Sequence, residues 1–101
     1  MQLYVTHLTA GDSARALDDR RLTKSILEST FMLITAAHRY VEDNRLPPGG
    51  HPNYPLHRWT GNNCHNYGWV ADYRKAAIEE YHRRHDRRHP LEMYTQLLDE
   101  M

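Results

Sequence analysis

Apolar and small residues recur at steps of three and four along Leu22, Ile26, Ser29, Leu33, Ala37 and Tyr40, and Leu27, Phe31, Ile34 and Val41 widen the same stripe. That spacing is the period of an amphipathic helix. Gly11 precedes two good capping residues, Asp12 and Ser13, so the pattern predicts a long helix from there to about Asn44, with a break near Leu17–Asp19. Upstream, Leu3 to Leu8 has the β-branched and aromatic character of a short strand or extended arm. From Leu46 to Pro55 the chain carries four prolines and two glycines. Helix is excluded there and an extended, turning loop is expected. Leu56 to Trp59 reads as a short helical turn. Asn62 or Asn63 caps a further helix running to about Arg88, with Trp69, Tyr73, Ala76, Ala77 and Tyr81 on its buried side, and Pro90 ends it. Leu91 to Met101 is a last short helix, with Leu91, Tyr94, Leu97 and Leu98 on one face. The expected fold is mainly α: three to four helices around one small core, a short extended N-terminal segment and a Pro/Gly-rich central loop, in a single domain over residues 1–101.

Composition narrows the function. Lys plus Arg and Asp plus Glu are 13 each, so binding nucleic acid by bulk positive charge is excluded, while a local basic patch is not. No apolar run approaches the roughly 18 residues a membrane helix needs. The N-terminus lacks the basic flank and apolar core of a signal peptide. The one cysteine, Cys64, cannot form an intrachain disulfide and fits a reducing cytoplasm. Seven tyrosines and two tryptophans stand against one phenylalanine. Aromatics with a polar handle suit surfaces that are part apolar and part wet, including binding sites, and equally a small core that uses Tyr where Phe would serve.

Three stretches carry candidate chemistry. In the first, Asp18 to Glu28, Lys24 and Glu28 are four apart and therefore neighbours on a helix. A lysine beside carboxylates serves as a Schiff-base nucleophile or a phosphate clamp; the ordinary use of such a run is a salt-bridged, solvated face. In the second, His51 to Trp59, two histidines, Arg58, Asn53, Tyr54 and Trp59 share a proline-stiffened loop that can grip a planar ring, or whose Trp59 simply plugs the core. In the third, Glu79 to His89, His82, His85 and His89 share a helix face. No His-Glu-x-x-His or paired-Cys spacing is present and arginines surround them, so no metal and no other cofactor is expected. Arg84, Arg88 and His89 would instead hold an anion, or form a helix end whose positive charge suits the dipole.

Taken in order, these stretches resemble a family of small bacteriophage proteins described as pyrimidine-dimer DNA glycosylases or endonuclease V-like. The resemblance rests on Leu17, Asp19, Lys24 and Glu28; on His51, Asn53, Tyr54, Pro55 and Trp59; on Asn66 and Trp69; and on Glu80, Tyr81, Arg84 and His89. It spans roughly residues 1–90. Tyr54 stands where the family pattern has a second histidine. The resemblance implies that the first helix, the Pro-rich loop and the end of the third helix converge on a polar site.

Two functions are compatible with these residues. In an amine-nucleophile base excision, the Met1 α-amine or Lys24 attacks the sugar carbon. The Met1 α-amine, with a reference pKa near 7.7–8.0 against about 10.4 for lysine, is the readier of the two. Glu28 and Asp19 stabilise the developing cation and move protons. Trp59, Trp69 and Tyr54 hold an unstacked base, and Arg58, Arg84 and Arg88 hold phosphates. In a non-enzymatic sponge for a nucleotide-derived host defence signal, the same aromatics and cations, with His51, Asn53, Asn66, Tyr81 and His89, become ligand contacts. The expected partner is DNA or a nucleotide-like small molecule, with no membrane. A homo-oligomer suits so short a chain. The expected location is the cytoplasm of an infected bacterial host.

Overall fold

The structure, a computed structural model, describes residues 9–41, 45–50 and 54–99. These form α1 (Ala10–Arg15), α2 (Asp19–His38), α3 (Pro55–Asn62), α4 (Cys64–His85), a 3-10 turn (Pro90–Tyr94) and α5 (Thr95–Asp99). The fold is mainly helical, with no strand among the described residues. The Leu3–Leu8 segment, Met1, His51 and Asn53 lie outside the described residues. No helix among the described residues is long and apolar enough to cross a membrane.

The break near Leu17–Asp19 divides the expected first helix in two. Thr9, not Asp12 or Ser13, opens α1, accepting the Asp12 N–H on its hydroxyl at 3.1 Å. Ser13 is instead fully buried, and Asp12 sits in the first turn, where its charge opposes the helix dipole favourably. Leu17 then drops into the core. Asp18 caps α2, accepting the Arg21 N–H at 2.8 Å and pairing with its guanidinium at 2.8 Å. The helix ends at His38, short of Asn44, so Tyr40 and Val41 leave the apolar stripe and are exposed. Leu27 is exposed as well: on the helical wheel it lies well away from Leu22, Ile26 and Leu33.

The Pro/Gly loop lies along the second half of α2. His38 Nε2 donates to the Pro47 carbonyl at 2.8 Å, the Gly50 N–H donates to Thr35 Oγ1 at 2.8 Å, and Leu46 enters the core. A Cβ on Gly49 would stand 2.6 Å from Thr35 Oγ1, and one on Gly50 2.6 Å from the buried His57 ring. Both positions need glycine for close approach. The short turn expected at Leu56–Trp59 is the longer α3, started by Pro55 at a position where its missing N–H costs nothing.

Asn63 caps α4, accepting the Asn66 N–H at 2.9 Å. The helix stops at Asp86, which takes the left-handed conformation (φ 50°) and donates its N–H to the His82 carbonyl. Contacts from Asp19 to Arg84 and from Thr30 to Arg74 run α2 and α4 antiparallel. The core has two apolar clusters. One joins α1, α2 and α4 through Ala14, Leu22, Ile26, Tyr73 and Ala77. The other joins Met32, Leu33, Leu46, Val70 and Leu98. Trp69 packs against both. Between them lies a polar layer. Arg74, 3% exposed, donates from Nε to Thr30 Oγ1 at 2.8 Å, from Nη1 to Thr95 Oγ1 at 3.0 Å and from Nη2 to the Leu91 carbonyl at 2.8 Å. Burial lowers its pKa, and Asp99, Glu92 and Tyr67 act in the opposite sense. The guanidinium stays charged.

Arg74→Lys is expected to lose about 2–3 kcal/mol of stability, because a single Nζ cannot stand at once where Nε, Nη1 and Nη2 each meet an acceptor on a different element, and charged hydrogen bonds carry that scale. Urea denaturation checks this. Hydrogen exchange should show the 3-10 turn and α5 loosening first; unchanged stability would remove Arg74 as the clamp.

Candidate functional site

The described candidates fall into two groups. The first lies where α1 and α2 meet the end of α4. Arg84 donates to Asp19 Oδ1 at 3.2 Å and to the Arg15 carbonyl at 3.0 Å, so it closes the α1–α2 corner and caps α1. Beneath it is the buried carboxylate of Glu80, 3.8 Å from Arg84 Nε and hydrogen-bonded by Arg83. The Arg83 hydrogen bond, opposed by burial and helped by the charges of Arg83, Arg84 and Arg15, holds Glu80 below the usual carboxylate range. Tyr81 carries two imidazoles, His85 at 4.6 Å and His89 at 5.0 Å between ring centroids.

His89 is 7% exposed and caps the 3-10 turn, its Nδ1 accepting the Leu91 N–H at 3.1 Å. Burial, then the nearby Arg74 charge, pushes its pKa down against the pull of Glu92. The ring is therefore neutral at neutral pH. With Nδ1 used as acceptor, the proton belongs on Nε2. His89 and Leu91 form one wall of an open surface depression of about 630 Å3, and Arg20, Thr23, Lys24 and Leu27 of α2 form the other. Neither Arg20 nor Lys24 has an ion-pair partner among the described residues. Glu28, one turn beyond Lys24, is partly buried and engaged elsewhere. Arg88 lines a separate wide depression on the other side of His89, together with Glu92 and Asp99.

The second group sits at the start of α4. Asn66 Nδ2 donates to the Trp59 carbonyl at 2.7 Å and fixes α3 against α4. Trp59 meets Trp69 edge-on at 6.4 Å, and Trp69 stacks on the buried Tyr73 at 5.6 Å. The result is an aromatic ladder from the core to the surface. Trp59, 40% exposed, is its outer rung. Arg58 and Tyr54 are exposed nearby in sequence, with Tyr54 edge-on to His57 at 6.0 Å. Trp69 and Arg84 are about 22 Å apart along the helix. Trp69 and Tyr73 also occupy a different flank of α4 from Arg74, Tyr81 and His85. The structure thus joins Asp19 with Arg84, Lys24 with His89, and Trp59 with Asn66 and Trp69, as two groups.

His82, His85 and His89 share a helix face in the sequence pattern, yet each has its own role. His82 Nε2 donates to Glu92 at 2.8 Å, His85 packs on Tyr81, and His89 lies beyond the helix end. Among the described residues no three His, Cys, Asp or Glu side chains gather as a metal site. Sequence reasoning missed Arg74, Glu80 as a buried charge, and Arg20 as part of the depression. Only Arg20 carried a usable signal, its i, i+4 relation to Lys24. Comparisons of the chain with protein-family models, curated proteins and solved structures find no match.

The shifts of His89 and Glu80 set the acid side of stability. The unfolded imidazole titrates near 6.5 and the folded one lower. The unfolded chain therefore binds the extra proton first as pH falls. The His89 contribution is full above 6.5 and is lost as pH falls from there toward the lowered folded value. Glu80 adds a second loss that begins below its ordinary 4.5 and continues through its lowered folded value. The denaturation midpoint should be lower at about pH 5.5 than at about pH 7.5, and His89→Gln should narrow that gap. An unchanged gap would show that His89 titrates alike in both states.

Proposed function

We propose that the protein is a DNA base-processing protein that uses an amine nucleophile, as the resemblance of its motifs implies. The observation that carries this reading is the exposed amine of Lys24, without an ion-pair partner among the described residues, on the wall of a depression shared with Arg20 and His89. The depression is shallow and open, a shape for a strand lying across α2 and not for an enclosed small molecule. The aromatic ladder ending at Trp59 offers a stacking surface for an unpaired base. In the proposed step an unprotonated amine attacks C1′ of the damaged nucleotide. The C1′–N bond to the base breaks, the base leaves with the electron pair and takes a proton, and the sugar opens to an imine with the amine. The attacking amine is that of Lys24 or the Met1 α-amine, with Glu28 and Asp19 as the carboxylates.

A second reading, a non-catalytic binder of a nucleotide-derived defence signal, is favoured by the zero net charge. Such a ligand brings few phosphates and needs no broad basic surface. It uses the same aromatic and basic groups. A homo-oligomer and a location in the cytoplasm of an infected bacterium belong to both readings as proposals.

Incubation with duplex DNA carrying a pyrimidine dimer, in the presence of borohydride, should yield a covalent protein–DNA adduct. Lys24→Ala should abolish the adduct if Lys24 attacks, while changing stability by no more than about 0.5 kcal/mol, as for a surface residue. Blocking the α-amine should abolish it if Met1 attacks. No adduct, together with thermal stabilisation by nucleotides, would replace base excision with sequestration.

Trp59→Leu should keep the fold and cost roughly 1–3 kcal/mol of binding to single-stranded DNA, the scale of one base–aromatic contact. Paired melting and fluorescence titration read both. A large drop in melting temperature with unchanged affinity would make Trp59 a structural plug.

A further inference from the structure

The polar groups on the wall of the α2 depression are unusual in kind. Arg20 and Lys24 are cations four residues apart on one face, an arrangement that costs helix stability. Arg20 also lies in the first turn of α2, where the macrodipole disfavours positive charge. The acids that would ordinarily compensate them are committed. Asp19 pairs with Arg84, Glu80 with Arg83 and Arg84, and Glu92 with His82, while Glu28 is engaged elsewhere. The third polar group, His89, is more than nine-tenths buried, and its Nδ1 is occupied by the Leu91 N–H. Its Nε2–H has no acceptor among the described residues and is not sealed in the interior. Thr23 spends its hydroxyl hydrogen on the Asp19 carbonyl at 3.0 Å. Leu27 and Leu91 supply the apolar surface.

A surface rich in unsatisfied donors, bordered by two leucines, matches a ligand that offers oxyanion acceptors beside an apolar or planar part. We infer that the depression between α2 and the 3-10 turn is a phosphodiester seat. Arg20 and the Nε2–H of His89 donate to the non-bridging oxygens of one internucleotide phosphate, and Leu27 and Leu91 carry the adjoining sugar and base. The Lys24 amine stands beside the seat. The inference rests on the reading that this face takes nucleic acid, and it names the part of the nucleic acid that this face holds. It assigns Arg20 a binding role that the motif pattern did not include.

The test follows the His89 imidazole by 15N-resolved NMR, with its signal assigned by loss in His89→Gln. The probes are the dinucleotide TpT, its uncharged methylphosphonate analogue and inorganic phosphate. TpT should shift the Nε2–H signal saturably, and the methylphosphonate should bind about tenfold more weakly or less, the worth of one charge-assisted hydrogen bond. Arg20→Gln, an exposed change, should weaken TpT by a similar factor with no loss of melting temperature, since it removes a cation that the helix start and Lys24 disfavour. Equal binding of TpT and the methylphosphonate, or no shift with TpT, would overturn the seat. Inorganic phosphate binding as tightly as TpT would reduce it to a general oxyanion site and overturn the nucleic-acid assignment. TpT binding without a borohydride adduct would leave the seat standing and remove base excision. An adduct without TpT binding would do the reverse.

Discussion

The buried guanidinium of Arg74 is the contact on which the arrangement of elements depends. A cation in an apolar interior is costly unless its donors are met. Here they are met by Thr30 on α2, the Leu91 carbonyl in the 3-10 turn and Thr95 on α5. No carboxylate contacts Arg74 directly among the described residues. Its charge is balanced at a distance by Asp99 and Glu92. Arg74 therefore holds against the α2–α4 pair a segment in which Leu98 is the one buried apolar side chain among the described residues, and its polar layer separates the two apolar clusters. Three hydroxyls on α2 near this level, those of Ser29, Thr30 and Thr35, bond back to carbonyls of their own helix. This is how a helix tolerates so many buried polar residues on its inner side.

Holding the 3-10 turn also shapes the depression. Leu91 is the residue whose carbonyl Arg74 engages and whose N–H His89 accepts, so clamp and cap meet at one residue. The nearby Arg74 charge helps keep His89 neutral. A neutral imidazole with Nδ1 occupied presents one donor, on Nε2, in a fixed direction. The apolar floor and the donor thus follow from a structural clamp behind the depression.

Charge is distributed by the same logic. Arg84, held by Glu80 and Asp19, fastens the α1–α2 corner, while the exposed Arg83 pairs with Glu80 along α4. The result is a chain with no net charge in which, among the described residues, Arg20 and Lys24 stand side by side on α2 without an ion-pair partner. Zero net charge in the sequence and a basic depression in the structure are consistent, because ion pairing is selective.

Periodicity, turn residues and capping residues determined the mainly helical fold, the break before Asp19, the loop from Leu46 and a cap at Asn62 or Asn63, because these are local properties; the structure uses Asn63. The sequence also showed that Lys24 and Glu28 are neighbours and that Trp69 belongs with Tyr73. It could not show that Arg84 would turn toward Arg15 and Asp19, since that contact joins positions far apart in the chain. Nor could it mark Arg74 and Glu80 as buried, because a charged residue within an apolar stripe looks like any solvated one until its partners are known. His82, His85 and His89 looked alike by spacing. Tertiary packing decided that His82 would meet Glu92, His85 would rest on Tyr81, and His89 would cap a new turn, because α4 ends at Asp86 and the chain reverses there. Local geometry can be read along the chain, whereas the choice of partner for each polar side chain depends on which elements the core brings side by side.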